Sequence, residues 1–205
     1  MPLWESQGLG HLIPFEHEHL ENWTNSLQFG FNDTYFNFDH EPSGIRFGGG
    51  LDDVFQDTKT GQLHIVDYKS TAQGSRSPNT YQRKPVSLDD PWKVGYKRQM
   101  DMYVWIMLKK GFNVSDTGYF VYVDAQHANV KGMLNGERPD IAWMPFVASI
   151  IPCEANPEWV EGTLLDIRDF LETVQPCPLH TPGKSIEGGC DLGRYANQIM
   201  ETLTS

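Results

Sequence analysis

Gln62 to Ser70 runs QLHIVDYKS, a stretch rich in β-branched and aromatic residues that predicts a strand. Ile45 to Gln56, IRFGGGLDDVFQ, predicts another. Asp57, Thr58, Lys59, Thr60 and Gly61 form a turn-rich connection, so the two strands form an antiparallel hairpin. In a strand, side chains two apart share a face. Asp67 and Lys69 therefore point one way, and Val66 and Tyr68 the other. Asp52 and Asp53 are neighbours on the preceding strand, so one of them joins Asp67 unless a bulge intervenes. Gly48, Gly49 and Gly50 come just before that pair, and strand glycines mark bulges or close approach of another backbone.

Two carboxylates and a lysine on adjacent strands suit phosphodiester hydrolysis. That reaction needs a water nucleophile and neutralisation of charge building on the phosphoryl oxygens. A hard divalent cation held by one or two carboxylates supplies both. A lysine beside it orients the water or stabilises the oxyanion. An isolated Asp-x-Lys pair is more often a surface ion pair, so these residues need support from elsewhere in the chain.

The remaining text alternates helix and strand signals. Residues 1–14 read as an irregular lead-in. Phe15, His19, Trp23 and Leu27 recur every four residues and predict a helix ending near Gly30. Asn32 to Phe38 reads as a strand or an ordered loop. Residues 71–92 read as a long mobile loop, and loops of that length are often functional. Lys93 to Lys110 is the strongest helix, closed by two lysines and Gly111. Thr117 to Ala125 predicts a strand, residues 140–151 another, and Pro157 to Val174 an amphipathic helix. The expectation is one domain over residues 1–205, loosely structured from about 176.

Charge narrows the partner. The formal net charge is −11, against the usual basic character of nucleic-acid binders. Yet Lys69 to Lys110 holds nine of the sixteen basic residues and three acids, a net of +6 inside a body of −17. Such a segment can hold a polyanion locally. No apolar run approaches the roughly 18 residues of a membrane span. MPLWESQGLG has neither a basic n-region nor an apolar h-region, so a cytoplasmic chain is expected. Cys153, Cys177 and Cys190 include no C-x-x-C and predict reduced thiols rather than a disulfide framework.

Three motifs occur in order: Gly49-Gly50-Leu51-Asp52, Ile65-Val66-Asp67-Tyr68-Lys69, and Gln99 followed four residues later by Tyr103. Together they resemble the RecB-like branch of the PD-(D/E)XK nuclease superfamily, over about residues 47–124. The resemblance implies an α/β restriction-endonuclease-like core, a central mixed β-sheet flanked by helices. It implies metal ligation by Asp52, Asp67 and the Tyr68 carbonyl, with Mg²⁺ or Mn²⁺, and catalysis by Asp52, Asp67 and Lys69. Gln99 and Tyr103, with Tyr96 on the same helical stripe, would contact substrate or support the lysine. Arg76, Arg83, Lys84, Lys97 and Arg98 would follow the phosphate backbone. The implied activity is DNA cleavage, as an exonuclease on ends or single strands. The alternative is a nucleic-acid-binding module that keeps the fold without turnover. Relatives carry a further metal ligand upstream, but none of Glu16, His17, Glu18 and His19 matches that motif. Some bind an iron–sulfur cluster; here no cysteine precedes Cys153 and no cluster is expected.

Overall fold

A computed structural model describes residues 3–25, 32–72, 85–126, 137–138, 140–173 and 202. The chain divides into two compact units, Met1–Leu165 and Asp166–Ser205. The first carries the sheets. Its strands are β1 (Leu12–Pro14), β2 (Asn37–His40), β3 (Ile45–Gly48), β4 (Asp53–Asp57), β5 (Leu63–Thr71), β6 (Thr117–Ala125) and β7 (Phe146–Glu154). The helices are α1 (Leu3–Ser6), α2 (Leu20–Trp23), α3 (Val94–Lys109) and α4 (Glu158–Glu172).

The central sheet has the order β1-β4-β5-β6-β7. Only the β5–β6 pair is parallel; the rest are antiparallel. Parallel neighbours need a long crossover, and α3 lies in the crossover between them. The result is the expected mixed sheet flanked by helices.

Alternation along the strands separates two cores. Leu63 and Ile65 of β5, and Phe120 and Tyr122 of β6, face α3 with Met100, Val104, Ile106 and Met107. Val66, Tyr119 and Val121 face the other side with Phe55 and Leu12. There Trp4 of α1 stacks on Phe55 at 4.6 Å between ring centroids. Each fully buried side chain of this kind contributes roughly 1.5–3 kcal/mol. Helix α3 begins after a 3-10 turn opened by Pro91 and stops at Gly111, whose φ of +87° suits glycine.

Asp101 breaks the apolar run of α3 for a reason outside the helix. Its Oδ1 accepts the Asn156 amide and its Oδ2 the Trp159 indole N–H, both at 2.8 Å. The buried carboxylate thus docks the start of α4. Asp101→Ala leaves both donors unpaired, and about 3 kcal/mol of stability is expected to go. Urea titration checks this: the midpoint falls, whereas an unchanged midpoint would show that the tie carries nothing.

Three expectations are corrected. The lead-in contains a strand, β1, which pairs with β4. The helix read from Phe15 to Leu27 contracts, within the described residues, to Leu20–Trp23. Its aromatic residues recur for another purpose: His17 stacks on Trp23 at 4.6 Å and meets Phe112 edge-on. Ile45 to Gln56 is two strands in two sheets. β3 pairs with β2 and β4 with β5, while residues 49–52 cross between the sheets. The Gly49 amide donates to Phe36 and the Leu51 amide to Trp23. A Cβ on Gly48 would stand 2.6 Å from the Phe36 carbonyl, which is why the crossing begins in glycine. The expectations for residues 73–84 and for the tail from 176 lie outside the described residues.

Candidate active site

The site forms where the β4–β5 ladder ends. Asp53 is the last β4 residue in register, opposite Val66. Beyond it the Tyr68 amide has no strand partner in β4. The carboxylate of Asp52 takes that place, accepting the Tyr68 N–H at 2.7 Å through Oδ2. Asp53 turns to the opposite face, where its Oδ2 accepts the Tyr68 hydroxyl at 3.0 Å. Its other oxygen accepts the Val54 amide. The Tyr68 phenol is pushed up to about 12, first by burial and then by the negative charge of Asp53. The two adjacent aspartates are therefore separated by the backbone of Tyr68.

Asp67 lies on the α3 face and is 2% exposed. Lys69, two residues on, forms an ion pair with it. Burial nevertheless holds the Asp67 carboxyl above its usual range. The pull of Lys69 opposes that rise and the charge of Asp52 adds to it. Asp67, stripped of water and facing the charge of Asp52, makes a place where added positive charge is favourable.

Helix α3 supplies the next part. Lys69 Nζ donates to Gln99 Oε1 at 3.5 Å and lies 5.1 Å from the centroid of the Tyr96 ring. Gln99 Nε2 donates to the Tyr103 hydroxyl at 2.7 Å. Gln99 and Tyr103 are i and i+4 on one helix face. The Tyr103 phenol is raised mainly by burial, and the charges of Asp67 and Asp52 add to this. A continuous polar chain thus runs from Asp67 through Lys69 and Gln99 to Tyr103.

The other candidates lie elsewhere. Lys97 pairs with Asp89 at 3.7 Å, and the guanidinium of Arg98 lies 5.9 Å over Trp159. Arg76, Arg83 and Lys84 lie outside the described residues. His17 is committed to the aromatic stack with Trp23. Among the described residues no group of three or more His, Cys, Asp or Glu side chains is placed to hold a metal. The donor set still suits a hard cation, because Mg²⁺ commonly takes one or two carboxylates and fills its octahedron with water and phosphate. Clefts of about 520 and 440 Å³ lie on other parts of the surface, without Asp52, Asp67 or Lys69.

Sequence reading missed Phe120 and Tyr122, which stand beside Asp67 and Lys69 in the β5–β6 register. The Lys69 ammonium lies 6.0 Å from the Phe120 ring centroid. The alternation in TGYFVYVDA puts both aromatics on one face, but only the parallel pairing says whose face it is.

A family model described as the PD-(D/E)XK nuclease superfamily matches residues 4–179. The chain belongs to the PD-(D/E)XK nuclease superfamily. Its members are generally metal-dependent nucleases, and that chemistry agrees with the acidic pair and adjacent lysine. No curated protein and no solved structure matches the chain. Among the described residues of this PD-(D/E)XK protein no helix is long and apolar enough to cross a membrane. Its Cys153 is buried and, among the described residues, in no disulfide.

Proposed function

We propose that this protein is a divalent-metal-dependent nuclease of the RecB-like branch, cleaving DNA at ends or in single strands. The observation that carries the reading is the meeting of Asp52, Asp67 and Lys69 at the end of the β4–β5 ladder, backed by Gln99 and Tyr103. Asp52, Asp67 and the Tyr68 carbonyl would hold Mg²⁺ or Mn²⁺. Bound there, the cation would lower the pKa of water and offset charge on the phosphoryl oxygens.

The side chains divide the remaining work. Asp52 is held by the Tyr68 amide, so its position follows the strand that also carries Asp67. Lys69 has only protons to donate. Beside Asp67 it orients the attacking water and faces the negative charge that grows as the phosphoryl centre is attacked. Gln99 accepts a hydrogen bond from the Lys69 ammonium and limits its swing. Tyr96 and Phe120 flank the lysine and exclude bulk water, which strengthens its charge locally. Arg76, Arg83, Lys84, Lys97 and Arg98 are proposed to follow the phosphate backbone.

The test uses end-labelled single-stranded and duplex DNA, closed circular DNA and matched RNA, with Mn²⁺, Mg²⁺ or EDTA. Shortening of linear DNA with either metal is expected, with circles resistant and EDTA silent. Cleavage in EDTA, or none of any nucleic acid with any metal, would overturn the reading. Binding without cleavage identifies a non-catalytic module instead.

A further inference from the structure

Tyr103 stands where the helix meets the crossing between the two sheets. A Cβ on Gly49 would lie 2.6 Å from its Cε1 and 3.2 Å from its hydroxyl oxygen. Real Cβ atoms do not come that close to a ring, so the contact requires glycine. On the other side of the crossing, a Cβ on Gly50 would lie 3.2 Å from the Asn25 carbonyl. The turn is thus clamped between the Asn25 backbone and the Tyr103 ring.

The polarity of the contact follows from Lys69. An ammonium only donates, so Gln99 must face it with Oε1. Nε2 then faces Tyr103 and can only donate, so the phenol oxygen accepts. Two residues after Gly50 comes Asp52, whose carboxylate takes the Tyr68 amide at 2.7 Å. Tyr103 therefore joins the lysine side of the site, through the bond from Gln99 to its hydroxyl, and the aspartate side, through the ring lying against the glycine turn.

We propose that Tyr103 is a positioning residue that sets Asp52 as a metal ligand by seating its ring, anchored through its hydroxyl by Gln99, on Gly49. The inference rests on the reading of Asp52 as a ligand. The glycine that opens the first motif and the tyrosine that closes the third are then two halves of one contact. Asp52 needs this support because it precedes β4 and has no ladder bond of its own to hold it.

Tyr103→Phe and Gly49→Ala in the full chain test this, with Asp52→Ala as the reference. Mn²⁺ affinity is measured by calorimetry without nucleic acid, beside the thermal midpoint and the separate kcat and KM for DNA. Tyr103→Phe keeps the ring and removes the oxygen. It should weaken Mn²⁺ binding about tenfold, within the 10–100-fold that outer-shell partners of a ligand are worth. KM for DNA should hold, and kcat lost at low Mn²⁺ should return when Mn²⁺ is raised. Gly49→Ala should weaken Mn²⁺ in the same sense by displacing the ring, and it decides the matter if Tyr103→Phe does not fold. Wild-type Mn²⁺ affinity in both variants, or a lowered midpoint with unchanged affinity, would overturn the proposal. If Asp52→Ala itself binds Mn²⁺ like wild type, the underlying reading of Asp52 has failed. If Asp52→Ala loses the metal while the other two keep it, only the inference has failed.

Discussion

Asp67→Asn is expected to cut cleavage by about a thousand-fold, roughly 4 kcal/mol of transition-state stabilisation. The change is nearly isosteric, so the side chain still fills its place opposite Phe120 in the register. What disappears is the buried carboxylate proposed to receive the cation. The same substitution has a signature without substrate. Burial raises the folded-state pKa of Asp67 above its ordinary value of 3.8. Stability from such a group is fully present below pH 3.8 and is lost as pH rises through the folded value. In EDTA the wild-type midpoint should carry that decline, and the variant should lack it. The difference, variant minus wild type, therefore grows with pH across the window. Saturating Mn²⁺ should reverse the order, since a cation at a hundred times its Kd adds about 2.7 kcal/mol to the protein that binds it. Thermal melts over a pH series, with and without Mn²⁺, check both signs. Equal stabilisation of the two proteins by Mn²⁺, or wild-type cleavage by the variant, would remove Asp67 from the proposed metal site.

Lys69→Met is expected to lower cleavage by about a hundred-fold or more, at the scale of removing one oriented donor from a developing oxyanion. Methionine keeps an apolar stem against Tyr96 and Phe120 while removing the charge. Mn²⁺ should still bind, because Asp52 and Asp67 both remain and the cation no longer competes with the ammonium for Asp67. Calorimetry beside single-turnover rates separates the two effects. Metal binding and cleavage lost together would mean that Lys69 holds the carboxylates in place and does no chemistry; an unchanged rate would end its assignment.

The parts of the site that were legible lie on long regular elements. Period-two alternation put Asp67 and Lys69 on one face of β5, because a nine-residue strand leaves each side chain only two directions. Helical spacing put Gln99 and Tyr103 on one face of α3 for the equivalent reason. Asp52 was different. Strand parity said that one of Asp52 and Asp53 would join Asp67, and motif register selected Asp52. In the fold Asp52 is not in a strand at all. It replaces a strand neighbour by bonding the Tyr68 amide through its side chain.

The misread segments share a cause. Phe15 to Leu27 has helical spacing, yet Phe15, His17 and Trp23 pack with Phe112 from beyond α3. Those contacts outweigh a weak local preference. β1 has three residues and exists because β4 offers an open edge. The crossing at residues 49–52 depends on Phe36, Trp23 and Tyr103, none of them adjacent in the chain.

By itself the amino-acid sequence determined the hairpin with its Asp-x-Lys face, the long helix with its Gln and Tyr, and the family those motifs mark. These follow from neighbours within one element, where backbone geometry alone fixes direction. Only the tertiary structure decided that β5 and β6 lie parallel, which sets Phe120 and Tyr122 beside Asp67 and Lys69. It also parted Asp52 from Asp53 across one backbone and brought a tyrosine of α3 against a glycine more than fifty residues earlier. Those outcomes depend on packing between elements distant in sequence, which no local periodicity encodes.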